Sequence, residues 1–406
     1  MDRRCVVIVA LLALGAGSAM VQAAAQEAAP AVDVAAAIKE FQLREGSKPV
    51  RDTMRDWAPP HTILVAVDEP SRTAWLQQAM PKGVKVIGVP NAAAATGPEL
   101  ASADALVNFM CNRKTLAKAP RVKWVHVPSA GGDQCLAVPG IADGDILLTD
   151  AQKVKDTVMA EEAMGYVFAL ARSIDVGMRN QLHGELNNPG HERRAKPLRG
   201  STMLVIGLGG VGTEVARIAH ALGMKVIATR HSGHEGPAFV SYVGLPDETP
   251  KLVSQADVIV VCAPLTPETR GLFNAAMFAR MKRDAMYVDW TRAEITVPDD
   301  LAAALKAGTI GSAALNWATP APLPKDSPLW SAPNLILAPW AGTGTDMRAV
   351  TGTARRKGPT GADHAKTNRY GGDATREQRW LVIRENMKRF ATGARMYSVF
   401  DLKRGY

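Results

Sequence analysis

The chain has 406 residues, a formal net charge of +9, 47% hydrophobic and 21% charged residues. That length allows two or three domains with sizeable cores, and the composition is that of an ordinary globular protein. The positive balance suits phosphate- and carboxylate-bearing ligands. No Lys/Arg run with interleaved aromatics is present, so no nucleic-acid partner is expected.

Residues 1–25 read as an export signal peptide. Arg3 and Arg4 give a positive start, residues 6–16 are apolar, and Val21, Ala23 and Ala25 offer small residues for cleavage after Ala23 or Ala25. The apolar run is short for a bilayer span, and an uncleaved anchor is the alternative reading. Residues 3–7 also resemble a loose twin-arginine signal, with Asp2 where Ser or Thr is usual; that route carries proteins already folded around a cofactor. The expected location is the bacterial periplasm, with no membrane association after cleavage. Cys5 leaves with the signal. Cys111, Cys135 and Cys262 remain, too few for a disulfide framework, and a Cys111–Cys135 bridge is left open. No His/Cys/Asp cluster has metal-ligand spacing.

Residues 26–60 form an Ala-rich tether with some helix over 33–43. Folding is expected to begin at the β-rich run 62–67, and 84–89 and 122–127 read as further strands. A long helix is predicted over 157–172. The polar stretch 187–197 reads as the crossing to a second domain, which opens with the strand 202–206. Alternation of strands with helices predicts βαβ units and parallel sheets. Residues 346–375 read as a surface-loop insertion within a longer Gly/Thr/Arg/Lys-rich stretch, and 376–390 as a closing helix.

Gly207-Leu208-Gly209-Gly210-Val211-Gly212 fits the G-x-G-x-x-G pattern, with a strand before it and an apolar helix stripe after it at Val215, Ile218, Ala219 and Leu222. Gly207 would allow the tight turn, Gly209 the approach of a diphosphate, and Gly212 the close packing of helix on strand. The helix N-terminus would meet the phosphates. The next strand runs into Thr229-Arg230-His231-Ser232, where an NAD site would carry a carboxylate for the ribose hydroxyls. Arg230 would pair with a 2′-phosphate, so NADP is favoured, with NAD as the alternative.

From about residue 63 to 406 the chain resembles the D-isomer-specific 2-hydroxyacid dehydrogenase family. The resemblance rests on the glycine loop, on residues 127–133, on Ala160-Glu161, on 264–269, on 322–324 and 327–330, and on Glu385-Asn386, Arg389, Gly393 and Gly405-Tyr406. It implies two Rossmann-like α/β domains with parallel sheets, the nucleotide domain inserted into the substrate domain. The substrate domain would comprise 61–180 and 376–406, and the NAD(P)-binding domain 181–345. A homodimer and a small-molecule carboxylate substrate are implied too.

By the same resemblance, Ser129, Ala130, Gly131 and Gly132 would hold the substrate carboxylate. Cys262, Ala263, Pro264, Thr269, Trp290, Asn316 and Trp340 would line the cofactor, together with the glycine loop and residues 229–232. Arg292, in Asp289-Trp290-Thr291-Arg292-Ala293, would be the catalytic cation that polarises the substrate. The family's His and Glu are replaced by Trp340 and Ala321, and an expected Asp by Asn316. An indole does not titrate usefully, so Trp340 is no general base. Trp290, Trp317 and Trp340 would together make an aromatic-walled cleft. By neighbourhood alone, Lys153, Lys155, Glu162 and Asp346 are substitute proton carriers. Two functions stay open: an NAD(P)-dependent oxidoreductase acting on a 2-hydroxy or 2-keto acid, or a non-catalytic binder of dinucleotide or ligand.

Overall fold

The computed structural model describes residues 33–128, 131–132, 135–151, 153, 156–185, 195–316, 323–337 and 373–402. Ala321, Trp317, Trp340, Ser129, Ala130, Lys155, Asp346 and residues 346–372 of the expected insertion lie outside the described residues, while its last three, 373–375, belong to the closing helix and not to a loop. Helix α1 (Val34–Glu40) is capped by the Asp33 carboxylate, which accepts from Ala35 N. Ala37 and Leu43 are buried against Val382 and Tyr397. The expectation of a free tether over 26–60 is therefore corrected from residue 33 onward: a small apolar stripe suffices to pin that segment to the C-terminal helix.

The first sheet contains β1 (Thr62–Ala66), β2 (Lys85–Val89), β3 (Ala105–Val107), β4 (Trp124–His126) and β5 (Leu147–Thr149), ordered β2-β1-β3-β4-β5. All its pairs are parallel. Ile63, Leu64 and Val65 are all buried, as befits a strand covered on both faces. Helix α2 (Pro70–Gln77) packs beside β2.

Helix α3 (Asp156–Ala171) follows β5. Its buried residues Ala160, Ala163, Met164, Val167, Leu170 and Ala171 join the core of the second sheet, not the first. This helix of the 61–180 segment thus packs on the second sheet. Helix α4 (Ile174–Leu182) follows it.

The second sheet contains β6 (Thr202–Ile206), β7 (Lys225–Thr229), β8 (Tyr242–Gly244), β9 (Val258–Val261), β10 (Met286–Asp289), β11 (Ser312–Leu315) and β12 (Leu335–Leu337). Their order is β12-β11-β10-β9-β6-β7-β8, every pair parallel. Helix α5 (Gly210–Ala221) leaves β6 and buries Val215, Ala216 and Ala219 on the sheet. The strand order reverses between β6 and β9, which places the crevice at that switch point, beyond the strands' carboxyl ends. The chain then returns: α6 (Asp373–Thr392) lays Ile383, Met387, Phe390 and Ala391 on the core of the first sheet. Both sheets are parallel α/β layers, as the alternation of elements implied, and fit the Rossmann-like form that the resemblance implied.

Candidate functional site

The glycine turn stands at the switch point. Gly207 has φ +93°, and a Cβ there would lie 2.8 Å from the Ala263 Cα, so only glycine fits between the β6 and β9 ends. A Cβ on Gly212 would sit 2.0 Å from the Gly207 carbonyl oxygen, which enforces the close seating of α5. Gly209 differs: a Cβ there would meet nothing within 4 Å. That open ground lies at the N-terminus of α5, whose first-turn N–H groups have no intrahelical acceptor. Room plus donors is what a diphosphate requires, so these residues fit the dinucleotide expected of them. Leu208 is buried, and with Gly207 it donates its N–H to the Thr229 carbonyl, tying the turn to the end of β7. Gly210 and Val211 open the helix.

Thr229 is buried, while Arg230 is half-buried and His231 and Ser232 are exposed. The Arg230 N–H donates to the Gly244 carbonyl, and its Nη1 donates to the Glu235 carbonyl at 3.0 Å. Across the turn from β9, Cys262 and Ala263 abut Gly207. Burial, with Asp289 and Asp156 nearby, pushes the Cys262 thiol far up, so it is un-ionised. Thr269 Oγ1 donates to the Pro264 carbonyl at 2.7 Å and closes that loop.

At the end of β10, Asp289 organises the turn that carries Arg292. Its Oδ1 accepts from the Thr291 N–H at 3.2 Å and its Oδ2 from the Thr296 hydroxyl at 2.6 Å. Because Thr296 gives its proton to Asp289, the Tyr287 hydroxyl must donate to Thr296, 2.7 Å away. Burial raises the Asp289 carboxyl to about 6, against the lowering effect of these donors and of Arg292. Arg292 Nη1 donates to the Thr291 carbonyl at 3.0 Å. The Asn316 amide nitrogen donates to the Trp290 carbonyl at 3.2 Å, and its buried Oδ1 has no partner among the described residues. That orphan acceptor suits a carboxamide N–H.

Two expectations need correction. Trp290 does not wall an open cleft: it is fully buried in the second core, its ring centroid 5.2 Å from that of Tyr166 on α3. Gly131, expected to offer its N–H to a substrate carboxylate, donates it to Asp150 Oδ2 at 3.0 Å, and Gly132 is buried beneath. Among the substitute proton carriers, Lys153 Nζ donates to the Gln42 carbonyl at 2.7 Å. Glu162, raised to about 7 by burial, lines a cavity of about 350 Å³ with Tyr166, Ile174 and Ile336, and no glycine-turn residue borders it.

One participant escaped the sequence reading. A Cβ on Gly210 would fall 1.6 Å from Oδ2 of Asp156, so this carboxyl lies directly on the glycine turn. No motif flags it, since the contact joins segments far apart in the chain.

The model for the NAD binding domain of the D-isomer specific 2-hydroxyacid dehydrogenases matches residues 164–342. Glyoxylate/hydroxypyruvate reductase B of Citrobacter koseri is 30% identical over 239 residues, which is 58% of this chain and 72% of that one. A D-isomer specific 2-hydroxyacid dehydrogenase family protein from Aeromonas salmonicida superposes with a TM-score of 0.66 at 25% identity, over 85% of this chain and all of that one. An NADPH-dependent glyoxylate/hydroxypyruvate reductase of Sinorhizobium meliloti, solved with NADP and sulfate, shares the fold with a TM-score of 0.65 at 22% identity, over 85% of this chain and 99% of that one. Matched in sequence across most of a relative's length and in fold across the whole of another, this chain belongs to the D-isomer specific 2-hydroxyacid dehydrogenase family and carries that family's nicotinamide-dinucleotide-binding domain.

Proposed function

We propose that the protein is an NAD(P)-dependent oxidoreductase acting on a small 2-hydroxy or 2-keto acid, with NADP as the favoured cofactor. The observation that carries this reading is the open ground over Gly209 at a glycine turn otherwise too tight for any side chain. Arg230 at the end of β7 supports the phosphorylated form, since its planar guanidinium suits a 2′-phosphate. The activities for which the relatives are named, glyoxylate and hydroxypyruvate reduction, point to the same substrate class.

The nicotinamide, when bound, supplies or accepts the hydride. The chain's own residues do the rest. The α5 N-terminus would hold the diphosphate, and Asn316 Oδ1 would accept from the carboxamide. Asp289 and Thr296 fix the turn from which Arg292 polarises the substrate carbonyl. The family's acid–base pair is absent at positions 321 and 340, which costs about 10²–10⁴-fold. Turnover is therefore slow and draws its proton from water or from another side chain.

A second reading, a binder without turnover, is favoured by one observation: Asp150 already occupies the Gly131 N–H meant for the substrate carboxylate. The test mixes purified protein with NADPH and a panel including glyoxylate and hydroxypyruvate, following absorbance. The expected result is slow oxidation that is lost in Arg292→Ala while NADPH binding persists. Binding with no oxidation of any substrate favours the inert reading. Restoring Glu at 321 and His at 340 together should speed reduction.

Export to an oxidising compartment and homodimer formation complete the proposal. The bonded Cys111–Cys135 pair suits the first. The exposed apolar side chains of Phe168, Ile174, Met178 and Leu182 on α3 and α4 suit the second.

A further inference from the structure

The glycine turn presents two kinds of ground. Over Gly209 there is space, while Gly210 is covered by the Asp156 side chain from the first turn of α3. A dinucleotide diphosphate carries two negative charges and must settle on this same turn. A carboxylate packed against it opposes that charge in a desolvated setting, where little water screens the two. The described groups that face Asp156 do not neutralise it. Lys153 before the helix favours its ionisation, but burial outweighs that pull on Asp156, and burial with the Arg44 charge lowers the Lys153 ammonium itself. Asp150 at the end of β5 and Glu214 on α5 oppose ionisation. The Cys262 thiol at the end of β9 is un-ionised and lends no positive charge.

We propose that Asp156 is an affinity-determining residue of the cofactor site, and that the dinucleotide binds to the form in which this carboxyl is protonated. The inference rests on the dinucleotide reading above and adds to it a proton taken up on binding. Burial already holds the Asp156 carboxyl at about 7 in the free protein, so the proton is half present near neutrality. Above that pH, dinucleotide affinity falls about tenfold per pH unit, because the competent fraction falls by the same factor. The device would make the protein bind cofactor well in mildly acidic surroundings and poorly in alkaline ones.

The experiment titrates the full chain with NADH from pH 5.5 to 8.5. NADH avoids the 2′-phosphate, and its diphosphate keeps the same charge across the range. Calorimetry in two buffers of different ionisation enthalpy counts protons taken up. The wild type is expected to lose affinity about tenfold per pH unit above pH 7 and to take up close to one proton at pH 8. Asp156→Asn, isosteric and uncharged, is expected to bind at pH 8.5 at least about tenfold more tightly than the wild type, with a flat upper limb and no proton uptake. Asp156→Ser serves the same purpose should the Asn variant fold poorly. Equal slopes and equal proton uptake in wild type and variants, with binding intact, would overturn the inference and leave the dinucleotide reading standing. No binding of NADH or NADPH by any form at any pH overturns both.

Discussion

Gly209 and Gly212 occupy the same turn under different constraints. A methyl at 212 would collide with a backbone carbonyl 2.0 Å away, whereas one at 209 would meet nothing within 4 Å. Gly212→Ala is therefore expected to cost about 1–3 kcal/mol through overpacking, as well as dinucleotide binding. Gly209→Ala, at φ −85°, is expected to leave the melting temperature in place and to weaken NADPH binding at least about tenfold, since the methyl stands where the diphosphate approaches. Thermal denaturation beside a fluorescence titration separates the two. A Gly209→Ala protein that binds like the wild type would show that the diphosphate passes elsewhere. These glycines were legible in the sequence because each serves a local turn. Asp156 was not, because its partner Gly210 belongs to another helix. Trp290 was misread for the same reason: its burial depends on Tyr166, which only the tertiary fold brings beside it.

At the scale of elements, α3 couples the site to stability. The Asp156 carboxyl sits near 7 in the folded chain against 3.8 in a free side chain. A raised carboxyl stabilises the fold fully below the unfolded value, and that stability is lost as pH rises from about 4 to about 7. The loss amounts to a few kcal/mol, at roughly 1.4 kcal/mol for each pH unit between the two values. Asp289, raised to about 6, adds in the same direction. Urea denaturation of ligand-free protein from pH 4 to 8 should show the decline, and Asp156→Asn should flatten much of it. Parallel curves for the two proteins would contradict the placement of this carboxyl. Strands β1, β2, β4, β6 and β7 were legible as β-rich apolar runs, and α5 from its helical stripe. The three-residue strands β3 and β5 were not read, since no longer β-rich run surrounds them as 122–127 surrounds β4. Nor could periodicity say which sheet α3 covers: a buried stripe shows that a partner exists, not which one.

The whole molecule sets two parallel sheets around a crevice where the second sheet reverses its strand order. The returning helix α6 reaches back to the first sheet, so that layer is built from both ends of the described chain, with the second sheet between them in sequence. The two parallel-sheet α/β architecture was legible from the family's motifs, which lie in both halves of the chain. The bonded pair Cys111–Cys135 was not, because two cysteines among three leave the choice open without coordinates. The proposed site depends above all on a diphosphate held at the glycine turn, with Arg230 reading the 2′-phosphate. The most direct measurement is calorimetric titration of purified protein with NADPH and with NADH, repeated on Arg230→Ala. Saturable binding of both is expected, with NADPH at least about tenfold tighter in the wild type and the difference erased in the variant. Failure of either dinucleotide to bind the wild-type chain would contradict it.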